Sequence, residues 1–232
     1  MNVYPINLDI RDRRCLVVGG GAVALRKVEG LLACGGRVEV VSPAAADPLA
    51  ALADRGAVTW RRRAYRAADM QGAFMVIAAT DREAVNRRVA ADARTHGVLC
   101  NVVDRPAAGS FTVPSAVRRG DLLLTVSTAG RSPALAKRLR QRIEAQFGAE
   151  YADLLRLLGT VRQRLLDAGH DPGGHRDVLS RLVAADLETA IRRGAWDRVR
   201  RTLQEVLGDR YDGGLLERAG LPADPVEGRE RN

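Results

Sequence analysis

The sequence predicts an α/β fold: a parallel-sheet domain first, a small α+β segment next, and a helical domain last. Three observations predict it. Apolar runs of strand length alternate with helical stretches through residues 1–113. The first run ends in Gly19-Gly20-Gly21 and passes at once into a helical pattern. Beyond Gly148 the sequence looks helical, with leucines and valines at helical spacing. Strands alternating with helices imply right-handed crossovers and a parallel sheet, with ligands beyond the carboxyl ends of the strands.

The strand-like runs are Cys15–Val18, Arg37–Ser42, Ala57–Trp60, Ala73–Ala79 and Val98–Val103. Helical stretches Val23–Ala33, Pro48–Arg55 and Arg82–His96 lie between them, and Gly35-Gly36 and Gly97 are placed to end two of these. A second unit starts near Pro114. Asp121–Val126 reads as a strand, and Ser132-Pro133 opens a helix with Ser132 as N-cap and proline in the first turn. That helix runs to about Gln146 with Leu135, Leu139 and Ile143 on one stripe. Further helices are marked by Leu154, Leu155, Leu158, Val161 and Leu165, then Val178, Leu182 and Leu187, then Val199, Leu203 and Val206. Asp171-Pro-Gly-Gly174 is expected to break the first two. From Gly213 the chain turns polar, with Pro222 and Pro225, and a loose tail is expected over 213–232. The expected divisions are 1–113, 114–147, 148–212 and that tail.

Composition narrows the function classes. At 232 residues and 46% hydrophobic, the chain has material for a real core. No apolar run approaches bilayer-spanning length, so no membrane partner is expected. The start Met-Asn-Val-Tyr-Pro has no basic region and no long apolar stretch, so the expected location is cytoplasmic. Cys15, Cys34 and Cys100 are odd in number, lack a C-x-x-C and sit among apolar residues, which reads as buried reduced thiols. His96, His170 and His175 form no helical ligand pair, so no metal site is expected. The net charge of +9 favours anionic partners, or else is a solvated arginine-rich surface; only Lys27 and Lys137 are lysines. With 4% aromatics and no recognition motif, nucleic acid is an unfavoured partner.

The glycine turn carries the most specific chemistry. Gly19, Gly21 and Ala24 fill G-x-G-x-x-A directly after a strand, the Rossmann dinucleotide pattern. Gly19 permits the turn, Gly21 leaves room for a pyrophosphate and Ala24 lets the helix pack close. The free N–H groups of the helix start favour the phosphates. The second strand ends at Ser42-Pro43 without the acidic residue that usually holds a ribose. The ribose is therefore assigned to backbone around Ser42, Pro43 and Ala44, or to the Ser42 hydroxyl, and NAD is read over NADP. Thr80, after the fourth strand, reads equally as a hydrogen-bond donor to the nicotinamide half or as a helix cap. Asp104, after the fifth strand, reads as a general base or as a turn cap before Pro106. Asp12 lies in the charged turn Arg11-Asp-Arg-Arg14 and reads as solvated. The loop Ser127-Thr128-Ala-Gly-Arg131-Ser-Pro133 feeds a helix N-terminus and reads as an anion site or an ordinary cap.

Taken together, ordered segments resemble the N-terminal region of siroheme synthases and the stand-alone precorrin-2 dehydrogenases/sirohydrochlorin ferrochelatases. They are Tyr4-Pro-Ile-Asn-Leu8, Arg13-Arg-Cys-Leu-Val-Val-Gly-Gly-Gly21, Ala24-Leu-Arg-Lys27 and Val38-Glu-Val-Val-Ser-Pro43. Ala78-Ala-Thr-Asp81, Asn101-Val-Val-Asp104, Phe111-Thr-Val-Pro-Ser115 and Ser127-Thr-Ala-Gly-Arg-Ser-Pro133 continue the series. The resemblance covers residues 4–145. It implies NAD-dependent oxidation of precorrin-2, a polycarboxylate tetrapyrrole, to sirohydrochlorin, followed in many members by insertion of ferrous iron as a substrate. It implies a homodimer built through 114–147, Asp104 as the catalytic aspartate, and dinucleotide contacts at Gly21, Ala22, Val23, Pro43 and Ala44. Asn101, Arg105, Ser127, Thr128 and Arg131 are the expected substrate contacts, with Arg118 and Arg119 adding positive charge. Family members often carry Ser at position 128. The methyltransferase half of siroheme synthase is missing, so a separate uroporphyrinogen methyltransferase is the expected supplier. The competing expectations are a dehydrogenase without chelatase activity, an NAD-sensing regulatory module and an NAD-responsive DNA-binding regulator.

Overall fold

The computed structural model describes residues 3–169 and 171–222, and the chain divides into two compact units at Val113/Pro114. In the first, β1 (Arg14–Val18), β2 (Arg37–Val41), β3 (Thr59–Arg61), β4 (Met75–Ala78) and β5 (Leu99–Val102) form one sheet in the order β3-β2-β1-β4-β5. Every pairing is parallel, with Val18 opposite Val41 on one side and Ala78 on the other. The order reverses at β1, so the crevice beyond its carboxyl end is the topological switch point.

Both faces of this sheet are covered, which is why the central strands β1 and β4 read as continuous apolar runs. On one face Cys15, Val17, Val38 and Val40 pack against Ala24, Val28 and Leu31 of α1 (Ala22–Leu32) and Leu49 and Leu52 of α2 (Asp47–Asp54). On the other, Leu16, Val18, Val41 and Val76 meet Val89, Ala90 and Ala93 of α3 (Glu83–Thr95), with Tyr65 and Met70. After α3, Gly97 takes φ +65° and the Val98 N–H returns to the Ala93 carbonyl, closing the helix. Burial pushes the Cys15 and Cys100 thiols up to about 11, so both stay protonated and unreactive at neutral pH.

Charges on the second face are paired. Glu39, buried in β2, accepts from Arg14 Nε at 3.0 Å and Nη2 at 2.9 Å and also meets Arg61. Asp69 accepts from Arg63 at 2.5 and 2.9 Å and from the Arg66 N–H at 2.8 Å. Desolvation pushes the Asp69 carboxyl up, but the Arg63 and Arg66 hydrogen bonds outweigh it and hold it below its ordinary value. A carboxyl lowered on folding stabilises above its unfolded pKa near 4, and that contribution disappears as pH falls through the folded value. Urea midpoints measured from about pH 5 to pH 3 should therefore fall steeply for the parent. They should fall less steeply for Asp69→Asn, which starts from a lower midpoint at pH 7.

In the second unit, β6 (Ser115–Arg119) and β7 (Leu122–Val126) form an antiparallel hairpin closed by Gly120 at φ +56°. α4 (Pro133–Gln146) follows, with the Ser132 hydroxyl accepting from the Leu135 N–H. The buried apolar residues of 114–147 are Val117 and Ala136, while Leu135 is 48% exposed and Leu139 and Ile143 are half-buried. The helices α5 (Glu150–Asp167), α6 (Pro172–Ala184), α7 (Leu187–Arg192) and α8 (Trp196–Leu207) share one core around Leu157, Val161, Leu182, Leu187 and Leu203.

Three expectations change. Asp171-Pro-Gly-Gly174 begins α6, because the Asp171 carboxylate caps the Gly174 N–H; the chain leaves α5 earlier, at Gly169 with φ +135°. The segment from 213 is no loose tail as far as residue 222. α9 (Leu215–Arg218) seats Leu215 and Leu216, each 1% exposed, in the helical core, and Leu221 follows them. β6 is an added strand. His170 and the remainder of the expected tail, 223–232, lie outside the described residues.

Candidate functional site at the carboxyl edge of the sheet

The turn after β1 is built for close approach. Gly19 takes φ +129°, and a Cβ there would meet the Ala79 carbonyl oxygen at 2.4 Å. Gly20, not singled out in the sequence pattern, is just as constrained: its Cβ would sit 2.0 Å from the Ala44 carbonyl oxygen. Gly21 is different: among the described residues, nothing beyond its own chain neighbours comes within 4 Å of a Cβ, and its φ is an ordinary −82°. Nothing in the packing of the chain requires glycine there, so the empty volume is available to a ligand. No side chain caps the start of α1 and its first turn holds no acidic residue, so its N–H groups face that volume. Gly21 and Ala22 are exposed and Val23 half-buried. These features fit a dinucleotide pyrophosphate.

The loop after β2 is shaped from within. The Ser42 hydroxyl donates to the Ala44 carbonyl at 2.6 Å and its own carbonyl accepts from Trp60 Nε1 at 3.0 Å. Its proton is committed inside the loop, so a ribose is left to the exposed Pro43 and Ala44. Of the three arginines ending and following β3, Arg61 pairs with Glu39, Arg63 pairs with Asp69, and Arg62 lies 4.3 Å over the Trp60 ring.

Beyond β4, Thr80 is not the N-cap of α3, which is Arg82. The Thr80 hydroxyl accepts from the Arg82 N–H at 3.2 Å and approaches Asn86 Oδ1 at 2.7 Å, so its proton points into the protein rather than toward a ligand. Asn86, missed in the sequence, is 2% exposed and bridges strand ends: its Nδ2 donates to the Thr80 carbonyl at 2.9 Å and to Asp104 Oδ1 at 3.3 Å. Asp104 itself is exposed just past β5.

Two expected substrate contacts are engaged elsewhere. Asn101 is 5% exposed and donates to the Phe111 carbonyl at 3.0 Å, fastening the loop after β5 from beneath. Gly109 allows that closure, since a Cβ would meet the Cys100 carbonyl at 2.6 Å. Arg105 is exposed and pairs with Glu83 at 2.8 Å, a surface pair weak enough to yield to an anionic ligand.

In the second unit, Thr128 both donates to the Ser132 carbonyl at 3.1 Å and accepts from its N–H at 3.3 Å. Ser127 accepts from the Ala129 N–H at 3.2 Å, and Ala129 and Gly130 take φ +51° and +78°. These bonds hold a tight turn with Arg131 exposed at the start of α4. Arg119 is turned to the other end of α4, donating to the Phe147 and Glu144 carbonyls at 2.9 and 3.2 Å, where a cation satisfies the free helix carbonyls. Among the described residues no three His, Cys, Asp or Glu side chains converge as metal ligands, and no helix is long and apolar enough to cross a membrane.

Comparison with known proteins bears on this geometry. Residues 6–115 match the family described as "Putative NAD(P)-binding", and residues 119–146 match the "Sirohaem biosynthesis protein central" family. Siroheme synthase of Methylococcus capsulatus is 39% identical over 205 residues, covering 88% of this chain and 43% of the relative. Siroheme synthase of Thioalkalivibrio sulfidiphilus is also 39% identical, over 230 residues, covering 97% and 47%. The chain is similar to siroheme synthases along most of its own length. It spans about half the length of the curated relatives it matches. Its fold is that of the solved structure of SirC, a precorrin-2 dehydrogenase, with TM-score 0.72 and 25% identity over 90% of this chain and 100% of that one. The match to the NAD(P)-binding family falls on the first unit and supports a nicotinamide cofactor there.

Proposed function

We propose that this protein oxidises precorrin-2 to sirohydrochlorin with NAD, in the cytoplasm. One observation carries the reading: the bare start of α1 and the exposed Asp104 carboxylate lie on the same edge of one parallel sheet, with only β4 between β1 and β5. Strand spacing near 4.8 Å puts those two strand ends about 10 Å apart. A dinucleotide anchored by its pyrophosphate at β1 then extends its nicotinamide half toward β4 and β5. NAD accepts a hydride when bound. Gly21, Ala22 and Val23 present the N–H groups for the pyrophosphate, and Pro43 and Ala44 present backbone to the adenosine ribose. Asp104 removes the proton that leaves with the hydride, so precorrin-2 and NAD⁺ give sirohydrochlorin, NADH and one proton. NAD is preferred over NADP because Arg61 and Arg63 are engaged by carboxylates. Titration with each dinucleotide should give the tighter Kd for NAD.

Arg105 and Arg131, with Ser127 and Thr128, are assigned to the carboxylates of the tetrapyrrole. Ferrous iron is assigned as the substrate of a subsequent chelation, and a uroporphyrinogen methyltransferase site outside these 232 residues supplies precorrin-2. The test is anaerobic turnover. Precorrin-2 consumed only when NAD is present supports the dehydrogenase; NAD binding without consumption supports a sensing module instead. Iron insertion into sirohydrochlorin without NAD then separates a bifunctional enzyme from a dehydrogenase alone.

We also assign 114–147 to a homodimer interface. The hairpin and α4 bury only Val117 and Ala136 fully while leaving Leu135 exposed, too little apolar burial for an independent layer. Leu135→Asp combined with Leu139→Asp should shift the sedimentation coefficient from dimer to monomer. A parent protein that sediments as a monomer would remove the assignment.

A further inference from the structure

We infer that Asn86 is the positioning residue for Asp104, fixing the carboxylate's direction from a carboxamide that is itself locked to the cofactor edge at Thr80. The inference rests on Asp104 as the base. Asn86 lies in the first turn of α3 and is 2% exposed, while Asp104 is on the surface. The orientation of the carboxamide is dictated by its partners. The Thr80 N–H can only donate, at 3.3 Å, so the atom facing it is the oxygen, which also takes the Thr80 hydroxyl at 2.7 Å. The nitrogen then faces two groups that only accept, the Thr80 carbonyl at 2.9 Å and Asp104 Oδ1 at 3.3 Å. Three of the four contacts fasten the amide to the end of β4. The fourth, made by the second N–H of the amide, reaches the carboxylate just past the end of β5.

A plain loop fastener would need only the three Thr80 contacts. The fourth has a consequence for chemistry, because an exposed aspartate has rotamer freedom that a general base must lose before it meets its proton. A length of 3.3 Å is long for an amide–carboxylate bond, and such contacts shorten when substrate closes the site. Through Thr80 the same amide holds the strand end beside which the nicotinamide half is placed, so hydride acceptor and base share one rigid support.

The test uses the full chain with NAD and precorrin-2 and four variants. Asn86→Asp keeps the shape and the acceptor for Thr80 but cannot donate to Asp104; Asn86→Ala removes both. Val89→Ala, at a fully buried position of the same helix, supplies a comparison for lost stability alone. Asp104→Asn tests the base directly. Both Asn86 variants should lose about 10- to 100-fold in kcat with the KM for NAD within about threefold, while Val89→Ala keeps its kcat despite a lower Tm. Asn86 variants that raise the KM for NAD and keep kcat, or that keep both, overturn the inference when Asp104→Asn is inactive. Turnover by Asp104→Asn at the parent rate overturns the base assignment, and with it the role given to Asn86.

Discussion

Asp104→Asn should lower precorrin-2 turnover by about 100- to 10,000-fold, the usual contribution of a positioned general base. The side chain is exposed at the end of β5, so no core is disturbed, and Tm should stay within about 1 °C. Asn keeps the shape and can still meet the Asn86 amide through its oxygen. NAD affinity should not change, because the glycine turn assigned to the pyrophosphate lies two strands away at β1. Stopped-flow NADH formation with equilibrium NAD titration separates the two effects. Loss of NAD affinity in place of turnover would make Asp104 a structural element of the cofactor loop.

Gly21→Asp should abolish NAD binding while the fold stays intact. Among the described residues a Cβ at Gly21 meets nothing beyond its own chain neighbours within 4 Å, and its φ of −82° suits any residue. Aspartate is a favoured N-cap and would accept from the uncapped first turn of α1, leaving Tm unchanged or slightly raised. The same carboxylate would stand where a pyrophosphate belongs. Two unit charges about 4 Å apart at an effective dielectric near 20 repel by about 4 kcal/mol, about a thousandfold in affinity. Gly20→Ala is the contrasting case. Its Cβ would collide with the Ala44 carbonyl, so thermal stability falls together with NAD affinity. Calorimetric titration and thermal melts on both variants check the pair. A Gly21→Asp protein with parental NAD affinity would remove the pyrophosphate from this turn.

The legible parts of this molecule are those where one local pattern decides the outcome. The apolar runs of β1 and β4 are continuous because both faces are covered, those of β2 and β5 are interrupted only by Glu39 and Asn101, and the glycine turn follows β1 directly. Ser132-Pro133 carries its own capping chemistry. β6 was not legible, since Ser-Ala-Val-Arg-Arg buries one side chain, Val117, and becomes a strand only by pairing with β7. The two leucines of α9 are too short a run to announce a helix, yet the core formed by α5 to α8 has a place for them. At the site, the sequence supplies residue types while closure of the sheet decides their partners. Asn86 is six residues from Thr80 and eighteen from Asp104, and no local spacing marks it as the bridge. Asn101 reads as a polar group at a ligand edge, but its side chain leaves the sheet on the face where Phe111 returns.

The central claim, a proton taken at β5 while a hydride goes to a dinucleotide held at β1, is tested most directly by one anaerobic experiment. Precorrin-2 and NAD are mixed with the protein, and the tetrapyrrole and NADH absorbances are recorded together. The account predicts sirohydrochlorin and NADH appearing at the same rate in equal amounts. NAD bound at equilibrium with precorrin-2 unchanged would contradict it.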